Sequence, residues 1–241
     1  MHLSVIIPAY NEEKRLPKTL SEIDKYLSQQ DYQSEIIVVD GGSKDRTADM
    51  VREKMNEIKN LILIEVKNCL GKGQAVREGM LQAKGDYRIF TDADNSTNLD
   101  QVEKMWSEFR AGYDIVIGSR DIKGAVLDPP QPFLRKVIFG GGFRFLRKLI
   151  IGLWGIDDTQ CGFKGFKAEV AKNIFSKLNT LGFAFDVEVL ILAKKMGYKF
   201  KEVPIKWVND PESKVKLKHV IKMLLEIIKI RLNSLKGLYA P

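Results

Sequence analysis

The sequence predicts an α/β fold, with a mostly parallel central sheet and helices on both of its faces. Strand-like and helix-like segments alternate along the chain as far as Ser119, which is the pattern of a parallel sheet with crossover helices. The strand-like segments are continuously apolar, as strands covered on both faces are. Polar residues follow three of them directly, and ligands collect at the carboxyl ends of strands in such sheets.

The donor half of this predicted fold holds five strands and four helices. Strands are expected over residues 3–8, 34–40, 61–66, the run that ends at Thr91, and 113–119. Helices are expected from a cap at residues 11–13 to about residue 30, then over residues 46–55 and 73–84, and from Leu99 onward. Each strand is thus followed by a segment that can return the chain to the start of the next.

The second half is less regular. Residues 121–132 are rich in proline and predict a mobile, irregular surface loop. Residues 133–154 mix bulky apolar residues with arginine and lysine, without a stripe at helical spacing. Two further strands are expected at residues 163–167 and 200–207, and helices at residues 168–177 and 185–195.

Residues 215–235 form the clearest amphipathic helix in the sequence. One predicted face is apolar and consists of Leu217, Val220, Ile221, Leu224, Ile228, Leu232 and Leu235. The opposite face consists of Lys218, Lys222, Glu226, Lys229, Asn233 and Lys236. Docking on the core of the protein and attachment to a membrane surface are both open for such a helix.

The overall charge predicts an acidic partner. The formal net charge is +8, which attracts nucleic acid, phosphorylated substrates or anionic lipid. No apolar run reaches the ~18 residues of a membrane-spanning helix, and the first residues lead into a strand instead of a signal peptide. Cys69 and Cys161 form no paired motif. We therefore expect a cytoplasmic protein.

The strongest candidate site follows the fourth strand. Asp92 and Asp94 are one residue apart, so in an extended backbone they point the same way, and two such carboxylates repel unless a cation lies between them. Oxygen ligands favour Mg²⁺ or Mn²⁺ shared with the phosphates of a nucleotide. Two histidines, His2 and His219, offer no plausible zinc site. The alternative is a solvated turn that caps the next helix.

Several segments resemble the successive signatures of family 2 glycosyltransferases, which adopt the GT-A fold. They are VIIPAYNEE at residues 5–13, VVDGGSKDRT at 38–47, NCLGKG at 68–73 and TDAD at 91–94. DTQCGFK at 158–164, GFAFDVE at 182–188, EVPI at 202–205 and SK at 213–214 resemble the dolichyl-phosphate glucose and mannose synthases of that family. The resemblance implies a GT-A domain over residues 1–210, with a donor half at about 1–119 and an acceptor half at about 120–210, and a basic amphipathic helix over 211–241.

The resemblance also implies roles for single residues. Asp92 and Asp94 would bind Mg²⁺ or Mn²⁺ that bridges the donor diphosphate. The nucleotide would be held at the first two strand ends, where Gly41 replaces a second carboxylate that the family usually has. The implied nucleotide contacts are Pro8, Tyr10, Glu12, Asp40 and Lys72, and the implied phosphate contacts are Arg120, Arg135 and Lys214.

Two kinds of acceptor stay open. A sugar hydroxyl needs a general base, for which Asp158 is the candidate, whereas a lipid phosphate is already an anion and needs cations. Cations are frequent after the fifth strand, at Arg120, Lys123, Arg135, Lys136, Arg144, Arg147 and Lys148. Asp186 and Glu188 would line the acceptor side or anchor their helix.

The favoured prediction is an inverting hexosyltransferase that uses dolichyl or polyprenyl phosphate at the cytoplasmic face of a membrane. The motifs resemble those of the glucose synthases more closely, so UDP-glucose is the first expected donor and GDP-mannose the second. One alternative is a family 2 enzyme that acts on a saccharide hydroxyl in polysaccharide synthesis. Another is a non-catalytic nucleotide-binding or nucleic-acid-binding protein. Nucleic acid is disfavoured as a partner because the basic residues lie beside apolar ones.

Overall fold

The computed structural model describes residues 2–129, 155–208 and 217–239. Its helices are α1 (Leu16–Leu27), α2 (Thr47–Lys54), α3 (Lys72–Gln82), α4 (Glu103–Arg110), α5 (Ala168–Ser176), α6 (Phe185–Lys195) and α7 (Leu217–Leu235), with a 3-10 turn at Leu99–Val102. Its strands are β1 (His2–Ala9), β2 (Gln33–Asp40), β3 (Leu61–Glu65), β4 (Tyr87–Thr91), β5 (Ile115–Ser119), β6 (Val126–Asp128), β7 (Phe163–Lys167), β8 (Phe200–Pro204) and β9 (Lys206–Val208).

A large mixed sheet organises the described residues. Its strand order is β3-β2-β1-β4-β7-β5-β8. β1 pairs in parallel with β2 and β4, β2 pairs in parallel with β3, and β5 pairs in parallel with β8. β7 is antiparallel to both of its neighbours, β4 and β5. The predicted mostly parallel α/β sheet is therefore confirmed, with one antiparallel strand near its centre.

Helices cover both faces of the sheet, as the apolar strands predict. Helices α1, α2 and α4 pack on one face, where the core includes Leu20, Val51 and Phe109. Helices α3, α5, α6 and α7 pack on the other face, with core residues such as Met80 and Ile174. Residues that alternate along each strand contribute to opposite cores, and this explains why the middles of β1, β2, β3 and β5 are continuously apolar.

Helix α1 begins later than predicted. Residues 11–13 were expected to cap it, but the helix begins at Leu16, with a proline in its first turn, and Asn11 has a φ angle of 54°. The Asn11 N–H donates to Ser43 Oγ (2.8 Å), and the Lys44 N–H donates to Asn11 Oδ1 (2.7 Å). The cap prediction was wrong because these polar groups bind the loop after β2 instead of the helix.

Two expectations in the second half also need correction. Residues 121–129 are not wholly irregular, because they contain β6, which pairs in parallel with β9. The strand expected over residues 200–207 is two strands, since β8 pairs with β5 as far as Pro204 and β9 joins β6 instead. The strand at Phe163–Lys167 and the helix at Phe185–Lys195 have the predicted bounds. The predictions for residues 133–154 lie outside the described residues.

The C-terminal helix docks on the core, which was one of two possibilities for it, but with a different side from the apolar face that was expected to dock. Ile227 and Ile230 are buried in the core, and the Glu226 carboxylate accepts the Ala184 N–H at 3.1 Å. Ile228 and Leu232, which belong to the predicted docking face, are exposed. The helix is apolar on two sides, so its period alone did not identify the buried one. No helix in the described ranges is long and apolar enough to span a bilayer.

Candidate active site

Three strand ends form the edge of the sheet where polar residues were predicted to meet. Ala9 at the end of β1 pairs with Asp40 at the end of β2, and β4 lies on the other side of β1. The loops that begin at Tyr10, Gly41 and Asp92 therefore leave the sheet side by side. Tyr10 is more than half exposed, so an aromatic face is open to solvent at this edge.

Hydrogen bonds from backbone N–H groups to side-chain oxygens fix the first two of these loops to each other. The Glu12 N–H donates to Thr47 Oγ1 (2.8 Å), and the Arg46 N–H donates to Glu13 Oε2 (2.9 Å). The Glu12 carboxylate binds Arg15 through two hydrogen bonds of 2.7 Å. Glu12, a predicted nucleotide contact, thus has a structural partner in its own loop.

Asp40 is buried and organises the turn that follows β2. Its carboxylate accepts the N–H groups of Gly42 (3.1 Å) and Ser43 (3.0 Å), and also the Ser43 hydroxyl (2.5 Å). A carboxylate offers about four acceptor positions, so these bonds leave capacity for one more donor. The contact between Asp40 and a nucleotide base stays a prediction.

The Asp92 side chain forms an ion pair with Lys72, the first residue of α3, with 2.5 Å between Oδ1 and Nζ. Burial lowers the pKa of Lys72, but Asp92, Asp186 and Asp94 together outweigh it and raise that pKa. A Cβ atom at Gly162 would overlap the Asp92 carboxylate. Glycine at this position, just before β7, therefore allows the backbone to lie directly against Asp92.

Among the described residues no cation forms an ion pair with Asp94, although the charge of Arg15 acts to lower its pKa. Its Oδ1 accepts the Ser96 N–H at 3.0 Å. Burial and the neighbouring charge of Asp92 raise the pKa of the Asp94 carboxyl above its usual value. In the described part of the chain Lys72 pairs with Asp92 and Arg15 pairs with Glu12, so Asp94 leaves one negative charge unpaired at the end of β4, which a divalent cation would relieve.

The donor set fits a cation that shares its ligands with a bound phosphate. Within residues 2–129, 155–208 and 217–239, no group of three or more His, Cys, Asp or Glu side chains forms a closed metal site. Mg²⁺ and Mn²⁺ in nucleotide sites take only one or two carboxylates and complete their shell with phosphate oxygens and water. Asp92 and Asp94 are sufficient for such a shell.

A second charged corner lies beyond β5. Arg120 Nε and Nη2 donate to the Asp158 carboxylate at 2.7 Å and 2.9 Å, and the Arg120 N–H donates to the same group at 3.1 Å. The Arg120 guanidinium also lies 4.7 Å from the centre of the Trp207 ring. Burial opposes ionisation of Asp158, but Arg120 outweighs it and holds the pKa of this carboxyl well below its usual range.

Glu202, on β8, fixes the loop that carries Asp158. Its carboxylate accepts the N–H groups of Asp157 (2.8 Å) and Asp158 (2.9 Å). Glu202 and Trp207 were not among the predicted site residues, although Glu202 begins one of the quoted motifs. The sequence around a carboxylate in a strand does not indicate which distant loop that carboxylate will bind.

A buried ion pair lies between the first charged corner, formed by Asp92 and Asp94 at the end of β4, and this second one, since Asp92 acts on the pKa of Asp186 and Lys164 acts on the pKa of Asp158. Lys164 on β7 is fully buried, lies 2.5 Å from Asp186 Oδ1 and donates to the Cys161 carbonyl at 2.6 Å. A lysine inside the apolar run at 163–166 was the available signal, because a buried cation requires a partner. Glu188 is also buried and accepts the Thr180 N–H at 2.5 Å, which anchors the loop before α6.

Arg135 and Lys214 lie outside the described residues, as do Lys136, Arg144, Arg147 and Lys148. Pro8 is half-buried at the end of β1, beside the exposed Tyr10. Of the predicted residues, the structure brings Pro8, Tyr10, Glu12, Asp40, Asp92, Asp94 and Lys72 to one edge of the sheet, and it pairs Arg120 with Asp158.

Comparison with solved structures identifies the fold. The mannosyl-3-phosphoglycerate synthase of Rubrobacter xylanophilus superposes with a TM-score of 0.72 at 16% identity, over 98% of this chain and 75% of that one. The glucosyl-3-phosphoglycerate synthase of Mycobacterium tuberculosis, crystallised with Mn²⁺, UDP and phosphoglyceric acid, gives a TM-score of 0.69 at 17% identity, over 100% and 79%. Both are glycosyltransferases, and the predicted GT-A fold is confirmed.

Comparison of sequences identifies the family. A dolichyl-phosphate beta-glucosyltransferase of Trichomonas vaginalis is 36% identical over 95% of this chain and 73% of its own length. The human dolichyl-phosphate beta-glucosyltransferase is 35% identical over 98% and 76%. Residues 4–175 match the family described as Glycosyl transferase family 2. The predicted enzyme class is confirmed, and the chain belongs to glycosyl transferase family 2.

Proposed function

We propose that this chain transfers glucose from UDP-glucose to dolichyl or polyprenyl phosphate, with inversion at the anomeric carbon. The relatives named above are dolichyl-phosphate beta-glucosyltransferases, and they support this donor sugar and this acceptor. The observation that carries the proposal is the ion pair of Asp158 with Arg120, because it bears on which acceptor the site can activate.

The nucleotide is proposed to bind across the ends of β1 and β2. The exposed ring of Tyr10 can stack on the base. The loops that follow β1 and β2 are already fixed to each other by hydrogen bonds. A site built this way loses little conformational entropy when the donor binds. Asp40 would accept one further hydrogen bond from the nucleotide.

Asp94 and Asp92 are proposed to hold Mg²⁺ or Mn²⁺ against the diphosphate. Bound there, the ion would neutralise the charge that develops on the departing UDP. Lys72 is held by Asp92 at the start of α3, where its ammonium can contact a phosphate oxygen as well. The raised pKa of Asp94 supports a site that gains stability when a cation arrives.

The acceptor is proposed to be a phosphate because Asp158 is poorly suited to be a general base. A base must take a proton near neutral pH, whereas Arg120 keeps the pKa of Asp158 far below neutrality. A phosphate monoester is an anion at pH 7 and attacks without deprotonation. It needs a cation to hold it, and the Arg120 fork is fixed in place by Asp158 and Trp207.

A lipid phosphate acceptor places the reaction at a membrane surface, and we propose the cytoplasmic face. The polar head of the acceptor would reach the sheet edge while its hydrocarbon chain stays in the bilayer. This location accounts for the basic character of the chain, which has a formal charge of +8, since cytoplasmic leaflets carry anionic lipids.

The proposal can be tested with purified protein, MnCl₂ and radiolabelled donors. UDP-glucose and GDP-mannose are each offered with polyprenyl phosphate in detergent, and with a soluble disaccharide as the hydroxyl acceptor. We expect organic-phase glucose only from UDP-glucose with polyprenyl phosphate. Mannose transfer at an equal rate would contradict the proposed donor. Transfer to the disaccharide without transfer to the lipid would contradict the proposed acceptor and favour polysaccharide synthesis.

A further inference from the structure

Helix α7 has one face on the protein and one face in solvent. Ile227 and Ile230 are each 1% exposed and belong to the core beneath α6. The Glu226 carboxylate also points inward, where it binds the N–H of Ala184, and a Cβ atom at Gly182 would overlap it. Helix α7 is therefore docked, and its other side is available for a partner.

The solvent face of α7 carries an apolar stripe beside a row of lysines. The stripe side chains are between 46% and 66% exposed, and they are Leu225, Ile228, Leu232 and Leu235. At 3.6 residues per turn, the next row around the helix is basic and exposed. That row consists of Lys222, Lys229 and Lys236.

The outward face has no acidic side chain to balance these lysines. Between residues 217 and 239 the sequence contains one acidic residue, Glu226, and Glu226 is the residue that binds Ala184 on the inner side. A protein surface with apolar and cationic groups and no anionic ones complements a membrane that contains anionic lipid.

The same charges argue against a second copy of the chain as the partner. The stripe has the three-four spacing of a coiled-coil seam, so pairing with another α7 must be considered. In such a pair the flanking rows face each other, and Lys229 would meet a lysine or Arg231 of the other helix. No acidic partner is available in these rows, and like charges at such positions oppose association.

We propose that the outward face of α7 lies on an anionic membrane surface, with its apolar stripe in the lipid and its lysines at the headgroups. This inference deepens the proposed function and rests on its lipid acceptor. Helix α7 also contacts the acceptor side of the site, because Gln160 Nε2 lies 2.7 Å from Met223 Sδ. Attachment through α7 therefore holds the Asp158 loop close to the bilayer.

The test is flotation of the full chain with vesicles. Wild-type protein is mixed with vesicles of phosphatidylcholine alone and with vesicles of equal parts phosphatidylcholine and phosphatidylglycerol. We expect flotation with the anionic vesicles that weakens in high salt. Replacing both Ile228 and Leu232 by serine should reduce the bound fraction about tenfold.

Charge variants test whether binding to the vesicles depends on the lysine row of α7 or only on the overall positive charge of the protein. The triple variant Lys222→Gln, Lys229→Gln, Lys236→Gln should weaken binding roughly fivefold for each lysine removed. The matched control replaces Lys14, Lys18 and Lys25, which are exposed around α1 on the opposite face of the sheet, and it should float like wild type. Equal loss in both triple variants would overturn the assignment of α7.

Two more measurements distinguish the possible failures. Sedimentation velocity of wild type should show a monomer. A concentration-dependent dimer that Leu232→Ser abolishes would overturn the proposal that α7 binds a membrane and would identify a second copy of the chain as its partner. Glucose transfer to polyprenyl phosphate in detergent should be unchanged in the outward-face variants. Wild-type protein that transfers glucose but does not float contradicts only the α7 proposal, whereas protein that floats without transfer contradicts only the proposed function.

Discussion

The two charged corners of the site differ in how their charges are balanced. At the end of β4, Lys72 pairs with Asp92, no described cation pairs with Asp94, and the pKa of Asp94 is raised. Beyond β5, the Asp158 carboxylate accepts three hydrogen bonds from Arg120, and the pKa of Asp158 is lowered. The first corner keeps an unpaired carboxylate that a cation would balance, whereas the second holds the Arg120 guanidinium in a fixed position with its charge already balanced. The same residue type thus has opposite electrostatic roles in one site.

Removing the unbalanced charge should have the largest effect on activity. Asp94→Asn keeps the oxygen that accepts the Ser96 N–H but loses the charge for a cation, so we expect glucose transfer to fall about a hundred- to a thousandfold. Initial rates at saturating donor and Mn²⁺ measure this loss. Asp100→Asn, an exposed carboxylate in the following turn, is the matched control and should retain its rate.

The same variant should make the ligand-free protein more stable. Because the folded protein raises the pKa of Asp94, ionisation at neutral pH costs folding free energy, and this cost disappears as the pH falls through the raised pKa. Asp94→Asn removes the cost, and we expect the melting temperature without metal to rise roughly 2–4 °C. A fall of the melting temperature would mean that Asp94 stabilises the fold and that the first corner is balanced after all.

Breaking the balanced corner should reduce stability first. Asp158→Asn leaves the Arg120 guanidinium without its anion, and we expect a loss of about 3 kcal/mol, the low end for a buried ion pair because the Arg120 side chain is partly exposed. The folded pKa of Asp158 is lowered, so its stabilising effect is full above about pH 4 and is lost as the pH falls through the folded pKa. Urea unfolding of both proteins should therefore show a gap that is wide at neutral pH and narrows in acid. A large loss of transfer to a hydroxyl acceptor with unchanged stability would instead identify Asp158 as a base.

The loop that carries Asp158 offers a smaller, positional test. Glu202→Gln keeps the shape of the side chain but weakens two charge-assisted hydrogen bonds to the N–H groups of Asp157 and Asp158, and we expect a loss of about 1–2 kcal/mol. The KM for the lipid phosphate should rise while UDP binding stays unchanged. Glu169→Gln, on the exposed side of α5, is the control. An altered UDP affinity would show that the two corners are not independent.

The ring beneath Arg120 should have the smallest effect. Trp207→Leu removes the aromatic face that lies 4.7 Å from the guanidinium, and we expect a loss of about 0.5–1 kcal/mol. Trp207→Phe keeps an aromatic face and should lose less. Chemical unfolding of the two variants measures the difference, and equal losses would mean that the ring contributes packing alone.

Much of the fold was predictable because local patterns decide it. The alternation of apolar strands and helices predicted a sheet covered by helices on both faces, and β7 and α6 have the predicted bounds. The direction of β7 was not predictable, since an apolar run reads the same in parallel and antiparallel pairing. The inward side of α7 was missed for a related reason, because Ile227 and Ile230 lie outside the stripe that the period selects.

The site was predictable where one short segment carries the chemistry. Asp92 and Asp94 are one residue apart and close enough for the charge of Asp92 to raise the pKa of Asp94, although they lie in the turn after β4, which ends at Thr91, and not in the extended backbone that was predicted. The partners that give each carboxylate its character come from elsewhere. Lys72 and Arg120 reach their carboxylates from 20 and 38 residues away in the chain, and Glu202 holds a loop 44 residues before it. Pairings at such separations depend on the assembled fold.

The most direct test of this account is calorimetric titration of UDP into the protein with and without Mn²⁺. The unbalanced corner predicts that UDP binds tightly to wild type only when Mn²⁺ is present, and that Asp94→Asn abolishes this dependence. UDP that binds wild type and Asp94→Asn equally well, with or without the metal, would contradict the claim that these carboxylates hold a cation against the diphosphate.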